Sequence, residues 1–500
     1  MTDAEILLQN NTSVGITWIF ILTVFATVIG SGFSMGFSIS VFNQPSVYIK
    51  RFINSSYIDE YGHELSDHLL IDYWSLINLL YCFGGLSGCF LGGQLCALIG
   101  RRDSLILNNA LIAIGGFLMM SSKFVDIWQF ILIGRFLNGV FCGYLTVVSP
   151  VYLAEISPAK IRGGVVSLFQ LSIVLGLFLA EVVGFNWILG SEKNWPWLNV
   201  ISLILAFIQP IILPFCPKSP TYLLVIEKDR SAAIDALQRL RGDNYDISGE
   251  IPTATSKVDY DLNIDPGNMD EDYIPSSVAP PTMPEEPKPS LRTFISERAT
   301  RRAFLCAFVL MAAQQLTGIN AVNYYSTSIF IDSGVSHGNA IYYTVLTSLF
   351  QVILTFFVIP CVDRFGRKVL QLSGMLFMGF VAYTLAFSFY THLHILSVFS
   401  VVLFVSAFSM GPGAVPWLVS AELFSDASRS VGMSMAASLN WIFNGLVGLT
   451  TPILISNLHP PFVFAMFASF NLIFAVFIAI LVPETKNKTT DQIQLILQSQ

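Results

Sequence analysis

Charge is scarce in this sequence. Only 12% of its 500 residues are Asp, Glu, Lys or Arg, whereas a typical soluble domain has roughly 25%. Hydrophobic residues make up 54% of the chain and are gathered into long runs. A helix that crosses a bilayer needs about 20 predominantly apolar residues. The composition therefore excludes an ordinary soluble domain and predicts an integral membrane protein.

The usual signs of catalysis and of disulfide bonding are also missing. There is no Walker A motif, and the hydrophilic parts hold no metal-binding or catalytic group of residues. The seven cysteines lie in or next to apolar runs, and an odd number so placed does not indicate a disulfide framework. Cys82, Cys89 and Cys96 share a helix face with several glycines, which favours close helix packing over metal binding. We expect no enzyme, no cofactor, no metal, no nucleic-acid partner and no obligate protein partner.

Twelve apolar runs are long enough to cross a membrane. They lie at 15–39, 73–97, 104–122, 127–153, 165–188, 197–215, 303–330, 341–361, 369–390, 396–421, 431–455 and 462–482. No cleavable signal is evident, because the N-terminus MTDAEILLQNN is acidic and the first run is long enough to remain a helix. The predicted fold is an all-α membrane protein with twelve transmembrane helices surrounded by membrane lipid.

Basic residues set the predicted orientation. They fall in alternate loops, at Arg101-Arg102, Lys160 and Arg162, Arg364, Arg367 and Lys368, and Arg429. We expect these loops and both termini to be cytoplasmic. The first loop is then outside, where the sequon Asn54-Ser55-Ser56 predicts N-glycosylation. The sequons at Asn10, Asn11 and Asn487 fall on the cytoplasmic side and are expected to stay unmodified.

A long hydrophilic segment divides the apolar runs into two sets of six. It begins with a helical pattern and turns acidic and Pro-rich at 243–289, where eleven acids face two lysines. That composition buries too little apolar surface to order itself, so we expect a cytoplasmic helical linker followed by a disordered acidic insert. The expected domains are a bundle at 1–216, the linker at 217–302, a second bundle at 303–483 and a cytoplasmic tail at 484–500.

The two sets repeat each other at an offset of 266 or 267 residues. Gly100-Arg101-Arg102 recurs as Gly366-Arg367-Lys368, and Pro217-Lys-Ser-Pro220 recurs loosely as Pro483-Glu-Thr-Lys486. Two parallel six-helix repeats around a central cavity are a transporter architecture, with the substrate near the membrane midplane.

Charged residues take part in the repeat. Glu155 followed by Arg162 recurs as Glu422 followed by Arg429. Because residues seven apart cannot form such a pair on one straight helix, we expect pairs between helices. Pairs that break in one conformation would bias a two-state equilibrium, although simple anchoring of positive loops is an alternative. The expected cytoplasmic charge network is Arg101, Arg102, Glu155, Arg162, Asp363, Arg364, Arg367, Glu422 and Arg429.

Longer motifs make the chain resemble a known family. They include Gln314-Gln315-Leu-Thr-Gly-Ile-Asn320, Gly411-Pro-Gly-Ala-Val-Pro-Trp417, Asn440-Trp441, Asp363-Arg-Phe-Gly-Arg367 and Pro483-Glu-Thr-Lys486. On these residues the chain resembles the GLUT-type facilitative hexose transporters, sugar porters of the major facilitator superfamily. The resemblance covers essentially every predicted helix. It implies two pseudo-symmetric six-helix bundles, the MFS fold, that carry glucose or a related hexose across the plasma membrane by alternating access.

The resemblance also implies the sugar contacts, namely Gln170, Gln314, Gln315, Asn320, Gln351, Trp417, Asn440 and Trp441. Several positions depart from the family. The family has Asn at position 351, an acid at Ser409, and Pro-Glu-Ser-Pro-Arg at Pro217-Lys-Ser-Pro-Thr221. Met311-Ala312-Ala313 stand where glucose-preferring members carry Gln-Leu-Ser. A fructose or polyol carrier therefore stays open as an alternative.

Neutral amides suit a sugar for a chemical reason. Each hydroxyl of a hexose donates and accepts, a carboxamide offers both functions, and an unpaired hydroxyl costs about 1–3 kcal/mol. Any single buried amide could instead simply link helices, but a set spread over several helices favours ligand binding. Trp417 and Trp441 would cover the C–H faces of the sugar, with their indole N–H groups free to donate.

One straight helix cannot aim all these amides at one point, since each residue turns the helix by about 100°. We therefore predict a break near Gly318 and a second break at Gly411-Pro-Gly413. Asn323, Tyr324 and Tyr325 would form an outer gate, although the tyrosines also suit the membrane interface.

Whether sugar transport is coupled to protons depends on carboxylates inside the membrane. Proton-driven relatives use one in the first span, which has none here, so we favour uniport. Arg135 and Glu181 lie at similar depth in one predicted bundle, and we expect them to form a structural ion pair. A proton-coupled sugar symporter using Glu181 and a non-transporting sugar receptor remain as alternatives.

Overall fold

The computed structural model describes residues 15–243 except 159, together with 245–247, 250, 297–425, 428–486 and 488–499. Almost all of these residues are helical, and no strand occurs among them. Most of the acidic insert lies outside the described residues, as do the sequons at Asn10, Asn11 and Asn487.

The first half of the chain forms seven of the described helices and the linker adds two. They are α1 Trp18–Ser40, α2 Ser46–Tyr61, α3 Asp67–Ile99, α4 Arg101–Val125, α5 Gln129–Ile156, α6 Arg162–Val183, α7 Leu198–Ile212, α8 Pro220–Val225 and α9 Arg230–Arg241. A π-helical turn at Ile29–Phe33 interrupts α1. Side chains satisfy free backbone donors at several helix starts: Thr17 Oγ1 accepts from Phe20 N, and Asp229 Oδ1 accepts from Ala232 N.

The second half forms α10 Arg298–Leu316, α11 Ile319–Asp332, α12 His337–Phe365, α13 Arg367–Tyr390, α14 His394–Met410, α15 Val415–Leu423, α16 Arg429–Leu481 and α17 Thr490–Ser499. The long α16 turns at His459, whose φ of 63° and ψ of 151° are not helical. It therefore supplies two membrane-crossing segments.

Twelve segments of the described chain are long and apolar enough to cross a membrane. Each coincides with one of the twelve predicted runs, so the predicted all-α membrane fold is confirmed. The sequence did not predict α2, which stands in the first loop. It also assigned 484–500 to a tail, whereas α17 forms there and buries Ile493 and Leu497.

The linker helices dock on the first half. Tyr152 Oη donates to Pro217 O (2.7 Å), Tyr222 Oη donates to Leu98 O (3.0 Å), and Arg241 Nη1 donates to Ile156 O (2.9 Å). We call this end of the bundle the linker face and the other end the opposite face. The predicted helical start of the linker is thus confirmed.

The halves pack on each other through α3 against α16 and α6 against α12. One large apolar core contains residues of both halves and reaches the linker face, where it includes Leu240, Leu423 and Leu497. Two further cores each stay within one half, one around Phe42 and Trp195 and the other around Phe330 and Phe464. Apolar packing is therefore continuous between the halves toward the linker face, whereas these two further cores remain separate.

Candidate functional site

The seventh span is broken where the sequence predicted. α10 ends at Leu316 and α11 begins at Ile319, with Gly318 between them at φ +93°. Only glycine adopts such a φ without strain, and a methyl group at this position would lie 2.6 Å from Phe467 Cγ. Asn471 Nδ2 holds the break by donating to Thr317 O (3.3 Å).

The tenth span is broken as well. α14 ends at Met410 and α15 begins at Val415, with Pro416 in its first turn, where a missing N–H costs nothing. The break turns the carbonyls of Pro412 and Gly413 toward α10. Gln314 Nε2 donates to both, at 2.8 and 2.9 Å.

Four of the predicted amides form one connected chain. Asn440 Nδ2 donates to Gln314 Oε1 (2.7 Å), and Gln315 Nε2 donates to Asn440 Oδ1 (2.8 Å). Asn320 Nδ2, from the far side of the Gly318 break, donates to Gln315 Oε1. All four side chains are buried. Because each amide fixes the next, the chain holds its remaining donors and acceptors in set directions.

The first half contributes Gln170 from α6. A methyl group on Gly413 would lie 3.4 Å from Gln170 Nε2, so this amide stands next to the tenth-span break. Gln351 of α12 is buried. Within the described part of the chain neither Gln170 nor Gln351 makes a side-chain hydrogen bond, so both keep donors and acceptors for a ligand.

The two tryptophans differ in their surroundings. Trp417 is buried in the first turn of α15. Trp441 crosses to the first half, where its ring lies against Gly85 and 5.5 Å from the Tyr81 ring. Its indole Nε1 donates to Thr146 Oγ1 (3.4 Å). The expectation of a free indole N–H is therefore wrong for Trp441, because the absence of a Cβ at Gly85 lets the indole reach α5.

The expected ion pair between Arg135 and Glu181 does not form. Arg135 Nη1 donates to Ser38 O (2.7 Å), and the guanidinium lies 4.7 Å from the rings of Phe42 and Tyr81. Glu181 Oε2 instead accepts from Ser348 Oγ of the second half (2.5 Å). Similar depth did not bring the two charges together, because α5 turns Arg135 toward α1 and α6 turns Glu181 toward α12.

As expected, the repeated charges pair between helices. Each glutamate pairs with an arginine other than the one that follows it in the repeated motif. Arg101 Nη2 lies 2.8 Å from Glu155 Oε1, and Arg367 Nη2 lies 3.3 Å from Glu422 Oε1. Both pairs stand at the linker face and join helices of one half. Arg162 acts electrostatically on Glu422 from the other half.

The remaining members of the charge network bind backbone or nearby groups. Arg102 donates to Asp103 Oδ1 (2.7 Å) and to Cys216 O (2.9 Å), and Arg429 Nε donates to Ala421 O (3.0 Å). The Arg364 carbonyl accepts from Lys486 Nζ. The side chain of Asp363 lies outside what the structure describes.

The predicted outer gate lies at the opposite face. Asn43 Nδ2, from the turn between α1 and α2, donates to the Asn323 carbonyl of α11 (3.0 Å), which joins the two halves there. The side chains of Tyr324 and Tyr325 are not among those described. Asn54 lies in α2, and its Oδ1 accepts from Leu65 N (3.0 Å), so its glycosylation stays a prediction.

Sequence reasoning missed several residues that hold these side chains in place. Three of them form hydrogen bonds between the halves: Asn43 with the Asn323 carbonyl, Thr146 with Trp441, and Ser348 with Glu181. Single hydroxyls and amides in apolar runs carry no signal of their partners. Glu484, inside a quoted motif, accepts from the backbone N–H groups of Arg367 and Lys368 (both 3.0 Å).

Among the described residues, no group of three or more His, Cys, Asp or Glu side chains could hold a metal ion. All seven cysteines are free. The small-residue face predicted on α3 is confirmed by its close packing on α5.

Twelve spans in two repeated sets, with buried amides at helix breaks in the second set, define a membrane transporter of the two-bundle class. Residues 23–497 match the family model described as sugar (and other) transporter. The chain therefore belongs to that family.

Similar proteins agree with this assignment. Facilitated glucose transporter member 14 of solute carrier family 2 from Homo sapiens is 34% identical over 487 residues, which is 96% of this chain and 88% of that protein. Member 3 from Mus musculus is 34% identical over 497 residues, 98% of this chain and 95% of that protein.

Solved structures show the same fold. The proton:xylose symporter XylE bound to 6-bromo-6-deoxy-D-glucose has a TM-score of 0.78 at 23% identity, covering 96% of this chain and 99% of that one. The inward-open conformation of XylE from E. coli has a TM-score of 0.66 at 23% identity, covering 96% and 100%.

Proposed function

We propose that this protein carries D-glucose or a related hexose across the plasma membrane by facilitated diffusion. The observation that carries the proposal is the connected chain Gln314–Asn440–Gln315–Asn320, which is built on two helix breaks. Family membership and relatives named facilitated glucose transporters support it.

The chemistry of the amides fits a neutral polyol. Gln314 Nε2 donates both of its protons to the Pro412 and Gly413 carbonyls, so we assign to Gln314 the role of orienting the site. The open positions are one N–H of Gln315, the oxygen and one N–H of Asn320, and the amides of Gln170 and Gln351. These offer donors and acceptors side by side, as hydroxyls require. We assign sugar binding to these residues, with Trp417 as an apolar wall for the ring.

Transport would proceed by rocking of the bundles 1–216 and 303–483 around this site. The linker face is assigned to the cytoplasm, with both termini, because its loops carry the basic residues. The Arg101–Glu155 and Arg367–Glu422 pairs then hold each half together. The attraction between Arg162 and Glu422 acts across the halves and favours the orientation in which the linker face is closed. Asn323, Tyr324 and Tyr325 act as the outer gate, and Asn54 carries the glycan.

The test is uptake of labelled sugar into proteoliposomes, with glucose, galactose, mannose and fructose as competitors. The Gln314→Ala variant should lose most uptake, because the carbonyls at the tenth-span break lose their donor and Asn440 loses the acceptor that orients it. Gln170→Ala should raise the KM, because it removes a direct contact while the rest of the site stays. Gln129→Ala is the matched control, since this amide binds Glu60 at the exposed loop and its loss should leave uptake unchanged. Equal effects of all three variants would contradict the proposed site.

Proton–sugar symport is a second candidate, favoured by one observation. Glu181 is a buried carboxylate whose hydrogen-bond partner is a hydroxyl, Ser348, of the other half. Uptake measured with and without a pH gradient separates the two candidates. Uniport predicts no accumulation above the outside concentration, whereas gradient-driven accumulation that Glu181→Gln abolishes would establish symport.

A further inference from the structure

An open groove runs along the first turns of α10 at the linker face. It has a volume of about 730 Å³ and is lined by Arg298, Arg301, Arg302, Phe304, Leu305 and Phe308. Its lining divides into two parts, three guanidinium groups at the start of the helix and three apolar side chains beyond them. No part of the sugar site lies in this groove.

Helix geometry puts the two parts in line. Positions 298, 301, 302, 305 and 308 are three or four residues apart, so they share one face of α10. At a rise of 1.5 Å per residue, Phe308 lies about 10 Å further along the helix than Arg301. The groove is therefore basic at the linker-face end and apolar deeper along the same face.

The groove lies at the start of the seventh span, beside the end of α16. Cys306 Sγ donates to Leu481 O at the end of α16 (3.3 Å), three residues before Glu484. The ring centroids of Phe308 and Phe443 are 5.9 Å apart, so the apolar part of the groove is backed by Phe443. Leu305 is 45% exposed, and Arg298 and Arg301 are exposed. The carboxylate of Glu297, which precedes the helix, accepts from Thr300 Oγ1 (2.7 Å).

We propose that this groove binds an anionic phospholipid. The arginines bind the phosphate and the acidic headgroup, since a guanidinium matches phosphate oxygens with two parallel hydrogen bonds. One acyl chain lies along Leu305 and Phe308. A soluble phosphate would use only the basic part, whereas the lipid uses both, and basic residues at this depth attract anionic headgroups.

The test uses the full chain in nanodiscs of phosphatidylcholine with a minor share of phosphatidylserine. Mass spectrometry then measures the phosphatidylserine retained on the protein after gentle extraction, relative to the bulk ratio. The wild type should be enriched in phosphatidylserine. The variant R298Q/R301Q/R302Q should lose most of the enrichment, about fivefold per arginine at about 1 kcal/mol each.

The matched control is K228Q/R230Q/K488Q, which removes the same charge from exposed positions of the linker-side segments outside the groove. It should keep the wild-type enrichment. Single variants Arg302→Gln and Leu305→Gln should each lower the enrichment, and their melting temperatures in pure phosphatidylcholine report whether they fold. They keep the test valid if the triple variant does not fold.

Three results would overturn the proposal. The first is wild-type enrichment in the triple and single variants. The second is a loss in the control as large as that in the triple variant, which would indicate diffuse attraction. The third is displacement of the lipid by a soluble headgroup. Soluble glycerophosphoserine at equal concentration should not displace the lipid. Displacement would mean that the basic part alone binds anions.

Discussion

The two halves repeat the same charges at the linker face but hold them differently. In the second half, Glu484, three residues after the end of α16, accepts from the backbone of Arg367 and Lys368 at the start of α13. The first-half counterpart of Glu484, at the repeat offset of 266, is Lys218. It cannot accept, and it pairs instead with Glu227 (2.9 Å) and Asp103 (3.9 Å).

The difference teaches what each end segment does. The second half uses Glu484 to tie two of its own membrane helices together. Lys218 stands at the start of the linker and reaches the first half at Asp103 of α4. Further contacts join the linker to Thr17 just before α1, to α3 and to α5. The linker therefore belongs mechanically to the first half, whereas α17 belongs to the second, where Gln494 Nε2 donates to Leu423 O (2.6 Å).

The halves also differ at the site. The connected amides and both breaks belong to the second half, and the first half contributes Gln170 from an unbroken helix. Recognition and local bending are thus concentrated in one half. The other half presents a wall, against which Trp441 packs.

The largest expected difference between the halves comes from the buried ion pairs. Arg101→Ala should lower the free energy of unfolding by about 3–5 kcal/mol, because it leaves the nearly buried Glu155 without its cation. Arg367→Ala should lower it by about 1–3 kcal/mol, because the Arg367–Glu422 distance is longer than the Arg101–Glu155 distance and Glu422 is more exposed than Glu155. Melting in detergent micelles measures both. The double variant Arg101→Met/Glu155→Leu should recover most of the loss, and equal costs for the two single variants would contradict the comparison.

Next in size is the break in the seventh span. Gly318→Ala should cost about 1–3 kcal/mol more than Gly62→Ala, because the added methyl overlaps Phe467. Gly62 also has a positive φ, 75°, but nothing lies within 4 Å of the added carbon, so it reports the backbone strain alone. Uptake should fall with Gly318→Ala and not with Gly62→Ala. Similar melting shifts would show that the break tolerates a side chain.

A smaller effect is expected at the repeated end segments. Glu484→Ala should cost about 1–2 kcal/mol, since it frees donors at a helix start. Lys218→Ala should cost less than about 1 kcal/mol, since its ion pairs are partly exposed. If Lys218→Ala proved the more damaging change, as measured by melting, the linker would matter more than the tie in the second half.

The smallest effect is a pH dependence. The Glu227 carboxylate raises the pKa of Lys218 above its ordinary 10.5. A raised folded-state pKa contributes stability that is complete below the unfolded value and is lost as pH rises through the folded value. The melting difference between wild type and Lys218→Ala should therefore be constant near neutral pH and shrink only above about pH 10.5. A difference that shrinks on acidification from neutrality to pH 6 would contradict this assignment.

Much of the fold was predictable because the bilayer demands long apolar helices, and the breaks were predictable because Gly318 and Gly411-Pro-Gly413 interrupt them. Partners were harder to predict. Sequence gives the depth of Arg135 and Glu181 but not the rotation of their helices, which sends one toward Ser38 and the other toward Ser348. The contact of Trp441 depended on Gly85 in the other half, which no local pattern connects with it.

The apolar core that both halves share toward the linker face bears on the response to temperature. If that face opens during transport, side chains such as Leu240 and Leu423 meet water. Exposing apolar surface to water raises the heat capacity, and the free-energy cost of that exposure is smaller at low temperature. Cooling should therefore shift the protein toward the orientation that is open at the linker face, and Arrhenius plots of uptake should curve although no covalent bond is made or broken.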